Sequence, residues 1–156
     1  MSVNSALQRA RATLRQRLGE RRTDWAPSSR PSDEERELLR RYVDAHARND
    51  ADGLAALLRD DARLTLPPHP TWFDGREAIM TAVVQGFDPD FGQIRTLVTA
   101  ANRQPAAAHY LRPPGATEHR PLALDVLRLG DDGRIAEITS FVSPELFPAF
   151  GLPPVL

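Results

Sequence analysis

Arg120-Pro-Leu-Ala-Leu-Asp-Val-Leu-Arg-Leu-Gly-Asp-Asp-Gly-Arg-Ile-Ala-Glu-Ile-Thr-Ser-Phe-Val142 is the stretch whose reading decides the fold. Two runs rich in β-branched and apolar residues, Pro121 to Leu129 and Arg134 to Val142, flank Gly130-Asp-Asp-Gly133, a strong hairpin signal. Upstream, Ile94 to Asn102 and Ala107 to Leu111 have the same strand character. Four consecutive runs joined by short turns predict an antiparallel meander.

Before Gly92 the period changes. Ser32-Asp-Glu-Glu35 is a capping box that opens a helix carrying Leu38, Leu39, Tyr42, Val43 and Ala47 on one face. Asp52 is the expected cap of a short second helix with Leu54, Leu57 and Leu58. Arg63-Leu-Thr-Leu66 alternates like a strand and stops at Pro67-Pro68, and Asp74 is the expected cap of a helix through Ile79, Met80, Val83 and Val84. Helices, a strand, a helix and then a meander predict an α+β fold, with helices packed on one face of a curved antiparallel sheet.

The N-terminal segment has a different character. Val3, Leu7, Ala10, Leu14 and Leu18 form an apolar helical stripe, while Arg9, Arg11, Arg15, Arg17, Arg21 and Arg22 are offset only by Glu20. The whole chain, in contrast, carries a formal net charge of -1. Such local asymmetry suits an element facing phosphates, for which Arg9, Arg11 and Arg15 are the candidate contacts; a basic helix packed on its own domain is the alternative. Thr23 to Pro31 has two prolines, two serines and no periodicity, so it is expected to be an extended linker. The expected division is 1–22 basic helix, 23–31 linker and 32–156 folded domain.

Composition excludes several classes. The chain has 156 residues, enough for one compact domain plus an appendage. Without cysteine there are no disulfides, thiolate ligands or cysteine nucleophile. No apolar run is long enough for a membrane helix and no signal-peptide core is present, so a cytoplasmic location and no membrane partner are expected. His46, His69, His109 and His119 show no short metal-ligand spacing, and no HExxH, GxSxG or P-loop pattern occurs. Neither a metal nor a cofactor is expected.

Several strings resemble known families. Val3-Asn-Ser-Ala-Leu-Gln-Arg-Ala-Arg11 is similar to the last helix of region four of bacterial sigma factors. The order of elements resembles the nuclear transport factor 2-like cone of SnoaL-like polyketide cyclases and ketosteroid isomerases. Arg41-Tyr-Val-Asp-Ala45, Leu66-Pro-Pro-His-Pro-Thr-Trp-Phe-Asp-Gly-Arg76, Arg120-Pro-Leu-Ala-Leu124, Gly133-Arg-Ile-Ala-Glu-Ile-Thr-Ser-Phe141 and Pro144-Glu-Leu-Phe-Pro-Ala-Phe-Gly-Leu-Pro153 look like the SnoaL-like extension of extracytoplasmic-function sigma factors. The resemblance implies a regulatory domain of a sigma factor, a DNA-binding transcription protein whose partners are the sigma core regions and RNA polymerase. Only part of the helix-turn-helix is present, so this polypeptide alone is not expected to recognise a promoter.

A cone of this kind implies a pocket for a small hydrophobic ligand. The candidate lining residues are Tyr42, His69, Trp72, Asp125 and Glu137. Trp72 either caps the mouth or fills the core, and His69 is either a ligand contact or a surface turn residue. Asp125 interrupts an apolar strand: facing the lining, it would have a raised pKa and serve as a catalytic acid or base, whereas with Leu122, Leu124 and Val126 as the core face it would be partly solvated. His109 and His119 reach these carboxylates only in a suitable strand register. The alternative functions are a cofactor-independent isomerase, cyclase or epoxide hydrolase acting on a polyketide- or terpenoid-like substrate, and a homodimer scaffold paired through its sheet. The enzymatic reading rests on fold analogy, so the regulatory one is favoured.

Overall fold

A computed structural model describes Gln8, Arg9, Ala12, Thr13 and residues 31–156. The apolar stripe, Arg11, Arg15 and the linker up to Arg30 lie outside the described residues, and Gln8, Arg9, Ala12 and Thr13 are helical and exposed.

Helix α1 (Asp33–Ala47) begins at the capping box: the Glu35 amide donates to Ser32 Oγ at 3.1 Å and the Ser32 amide to Glu35 Oε2 at 2.6 Å. Asp33, Glu34 and Glu35 complement the positive end of the helix dipole. Leu38, Leu39, Tyr42, Ala45 and His46 are buried. Ala47 is exposed, because the i, i+3, i+4 spacing from Leu38 and Tyr42 runs through 45 and 46 instead.

Helix α2 (Ala51–Leu57) is capped by Asp50, whose side chain accepts from the Gly53 amide at 2.8 Å. Asp52 instead sits inside the first turn, where a carboxylate acts on the dipole and cannot cap. Leu58 is already extended and opens β1 (Leu58–Thr65), so Leu57 and Leu58 are buried on either side of the helix-to-strand switch. The chain then turns through Pro67–Pro70 into β2 (Trp72–Asp74), paired antiparallel with β1. Asp74 does not cap α3 (Arg76–Val83): Gly75 is the N-cap without a side-chain bond, and Asp74 accepts from Arg63 Nε at 2.6 Å across the strands.

After a 3₁₀ turn (Val84–Phe87) come β3 (Gln93–Ala101), β4 (Gln104–Arg112), β5 (Arg120–Leu129) and β6 (Ile135–Phe141). The β3–β4 turn is Asn102-Arg103, both at positive φ, as a two-residue hairpin of the primed type requires. The expected hairpin joins β5 to β6 at Gly130–Gly133. Sheet order is β2-β1-β6-β5-β4-β3. All neighbours are antiparallel except β1 and β6, which pair in parallel, so the sheet is mixed and not purely antiparallel. Bulges at Leu58/Arg63, His109/Tyr110 and Arg128/Leu129 add the local twist that curves it.

Both faces of the sheet are covered. On one side α1, α2 and α3 pack Leu38, Leu39, Leu54 and Ile79 against Leu64, Leu127 and Ile138. The other receives a C-terminal strap: a 3₁₀ segment (Pro144–Phe150) buries Phe147 against Tyr110 with ring centroids 5.1 Å apart, and Leu152 and Leu156 pack on the same cluster. The Tyr110 hydroxyl donates to the Pro153 carbonyl at 2.9 Å. Two covers explain why Leu124, Asp125, Val126 and Leu127 are all buried in β5, although a strand presents alternate residues to opposite sides.

Candidate functional site

Asp125 lies under the helices in the middle of the sheet, with only 6% of its surface exposed. Burial replaces the partly solvated alternative. Strand register puts it opposite Ala107 on β4 and Ser140 on β6, and His109, two residues along β4 on the same face, reaches it diagonally. His109 Nε2 is 3.0 Å from Asp125 Oδ2, and the Tyr42 hydroxyl, from α1 above, donates to the same oxygen at 2.7 Å. Thr96, opposite His109 on β3, places Oγ1 2.9 Å from His109 Nδ1. Three strands and a helix therefore meet at one carboxylate, with β3 behind His109.

The hydrogen bonds fix the protons. Nε2–H of His109 must donate to Asp125, because an ionised carboxylate only accepts. Nδ1 takes the Thr96 proton when the ring is neutral and gives one to Thr96 when it is charged. His46, one turn after Tyr42, donates Nδ1–H to the Tyr42 carbonyl at 2.9 Å, and its ring lies 4.4 Å from the Tyr42 ring and 4.8 Å from that of His109.

Electrostatics follow from burial and partners. Burial pushes the Asp125 pKa up, but electrostatic attraction to His109 and hydrogen bonds from His109, Ser140 and Tyr42 outweigh it and bring the value to about 2. Ser140 is placed to help through its hydroxyl, yet Asp125 Oδ1 makes no well-formed hydrogen bond. Burial, followed by the charge and hydrogen bond of Asp125, raises the Tyr42 pKa well above the ordinary phenol value. Burial and then the charge of His109 lower His46 to about 4, so it is neutral at pH 7. Asp125 is thus a held carboxylate with a lowered pKa rather than the raised one expected of a buried acid. At neutral pH it is a weak base, and the hydrogen bond from Tyr42 ties α1 to the sheet.

The other candidate residues lie elsewhere. Trp72 is 62% exposed and, with His69, lines a surface groove of about 630 Å³ together with Arg63, Leu66, Pro67 and Pro70. Neither Tyr42 nor Asp125 lines that groove. Glu137 stands opposite Arg128, on the strap side of the sheet, and accepts from Arg128 Nε at 3.1 Å. His119 is buried at the start of β5, where its main chain pairs with Leu156 in both directions. Among the described residues no group of three or more His, Asp or Glu side chains is arranged to hold a metal ion. His46 was legible as the i+4 neighbour of Tyr42, whereas Thr96 and Ser140 enter only through strand register.

A match to the SnoaL-like domain family spans residues 39–138, most of the helical layer and nearly all of the sheet. The chain belongs to the SnoaL-like domain family. This SnoaL-like chain is also similar to the extracytoplasmic-function RNA polymerase sigma factor SigG of Mycobacterium tuberculosis, in strains CDC 1551 and H37Rv, at 38% identity over 98% of its length. It spans 40% of the length of those relatives.

Solved structures agree on the fold. A candidate ketosteroid isomerase from Kribbella flavida DSM 17836 superposes with a TM-score of 0.57 at 23% identity, covering 73% of this chain and 81% of that one. An NTF2-like protein of unknown function from Burkholderia xenovorans LB400 gives 0.56 at 18% identity, covering 70% and 83%. The fold is therefore NTF2-like, a curved six-stranded sheet wrapped on helices. No helix among the described residues is long and apolar enough to cross a membrane.

Proposed function

We propose that this chain is the regulatory SnoaL-like part of an extracytoplasmic-function sigma factor, a cytoplasmic protein that tunes transcription initiation and takes a small hydrophobic ligand. The observation that carries this reading is the 38% identity to SigG, which extends over 98% of the chain and so beyond the family match at 39–138. In this reading residues 1–22 are the end of a DNA-binding region, with Arg9, Arg11 and Arg15 on phosphates, 23–31 are a linker and 32–156 are the regulatory domain. The sigma core regions and RNA polymerase are its partners, with a second copy of the chain as a further one. The Trp72 groove supports the ligand part, since its volume falls in the range of small-molecule sites and an exposed indole offers a large flat contact.

Run-off transcription tests the reading. A sigma factor in which this chain replaces the corresponding 40% of SigG is compared with one ending before Ser32. A changed transcript yield is expected on removing 32–156; equal yields, with equal holoenzyme formation, would sink the proposal.

An isomerase, cyclase or hydrolase centred on Asp125 is the second reading, favoured by the convergence of Tyr42 and His109 on a buried carboxylate. It is the weaker one. A carboxylate with a pKa of about 2 draws protons poorly from a carbon acid or water.

A further inference from the structure

We propose that Arg95, Arg112 and His119 form a phosphate-binding site on the strap side of the sheet. Strand register builds it. Gln93 on β3 is opposite Arg112 on β4, and Leu111 opposite Arg120 places Arg112 level with His119 at the entry to β5. Opposed residues share a face, so Gln93 and Arg112 stand side by side there, and His119 is the residue just before β5 beside them. Arg95, opposite Tyr110, belongs to the same face and stands diagonal to Arg112.

No acidic side chain is ion-paired with this group among the described residues. Among the described residues neither Arg95 nor Arg112 makes an ion pair, although most other arginines of the domain do, as in Arg36–Asp33, Arg59–Asp61 and Arg128–Glu137. Arg112 donates to the neutral Gln93 side chain, which orients the guanidinium and leaves its charge unmet. Glu118 is turned to Arg120, 3.7 Å away. The independent sign of a ligand is His119 itself. The residue is 7% exposed, and Nε2 has no hydrogen-bond partner. Burial and then the charges of Arg112 and Arg95 lower its pKa, which places both guanidinium groups within electrostatic reach of the ring. Two planar forks of N–H donors beside an unused ring nitrogen suit an anion with several oxygens around one centre. Phosphate has that shape, whether as a free ion, on a small molecule or in a nucleic-acid backbone. The site does not depend on the sigma-factor reading.

The test is an NMR titration of His119 in the full chain with inorganic phosphate, against chloride at equal ionic strength. Phosphate should raise the His119 pKa, because anion binding and protonation favour one another. Arg95→Gln and Arg112→Gln should each weaken phosphate binding about tenfold, while Arg41→Gln on α1 leaves it unchanged. Arg95 is exposed, so its variant stays folded, and the Gln at 112 still offers an amide to Gln93. An unmoved His119, or equal weakening by Arg41→Gln, overturns the site. A random-sequence duplex DNA separates the sources. If the duplex also moves His119, and the double Arg variant reduces the salt slope of DNA binding by about two, the ligand is a backbone phosphate. If only inorganic phosphate moves it, the site takes the free ion or a phosphorylated small molecule.

Discussion

The Tyr42 hydroxyl donates to Asp125 Oδ2 at 2.7 Å, a bond between residues 83 positions apart that joins α1 to the centre of the sheet. Tyr42 is 2% exposed and Asp125 6%, so water cannot replace either partner. Tyr42→Phe keeps the ring and removes the hydroxyl. It should lower stability by about 1 to 3 kcal/mol, the cost of leaving a buried charged acceptor short of a donor. Asp125→Ala should cost more, because it strands Tyr42 and His109 together. Urea melts of the two variants test this, and a Tyr42→Phe midpoint equal to that of the parent would show the bond to be dispensable.

Stability should fall on acidification in two windows. His46 is held at about 4 against an ordinary 6.5, so between these values the unfolded chain binds a proton that the folded one does not. Stability therefore declines as pH drops from about 6.5 to 4, by roughly 3 kcal/mol at most. Asp125, depressed from 3.8 to about 2, contributes stability that is complete above 3.8 and lost as pH falls towards 2. In His46→Gln the first decline should shrink to the part that His119, also held below its ordinary value, contributes, and the second should be kept. A melting temperature in that variant that still falls between pH 6.5 and 4 as it does in the parent would assign the proton to another group.

Phe147 anchors the strap with no exposed surface. Phe147→Ala should destabilise the domain by about 3 to 5 kcal/mol, since the cavity lies between the strap and the sheet. Hydrogen exchange should then quicken first at Leu152 and at the His119–Leu156 pair, whose bonds depend on the strap lying flat. Uniform quickening across all strands would mean that the strap does not unfold on its own.

Trp72 is expected to matter for ligands and little for folding. At 62% exposure it loses few contacts on truncation, so Trp72→Ala should change stability by less than about 0.5 kcal/mol. A thermal-shift screen of polyketide- and terpenoid-like compounds should yield binders that Trp72→Ala weakens by about 1 to 3 kcal/mol. Asp125→Asn should leave their affinity unaltered, because Asp125 does not line the groove. Binders that respond to Asp125→Asn and ignore Trp72→Ala would move the ligand to the interior.

Local chemistry made much of this protein legible in the sequence. The Ser32/Glu35 capping box, the Gly130–Gly133 turn and the strand character of the four late runs are decided by neighbours a few residues apart, and each occurs as read. So does the position of Tyr42 on the apolar face of α1. Asp50 in place of Asp52, and Gly75 in place of Asp74, show where local reading is weakest: several nearby carboxylates can cap, and only the backbone path selects one.

Only the tertiary structure decided the rest. The parallel pairing of β1 with β6 joins segments separated by four strands and a helix, and no local pattern encodes a partner so distant. Asp125 shows the same limit in its chemistry. Its interruption of an apolar strand marks it in the sequence as unusual, yet whether its pKa rises by burial or falls by pairing depends on His109, Tyr42 and Ser140 arriving from three other elements. Trp72 and Asp125 are both conspicuous in the sequence, yet Asp125 does not line the groove at Trp72, because strand register and a second cover on the sheet set which side chains share a space. Sequence fixes the propensities and periods of single elements, while a site made by long-range convergence exists only once the sheet has chosen its register.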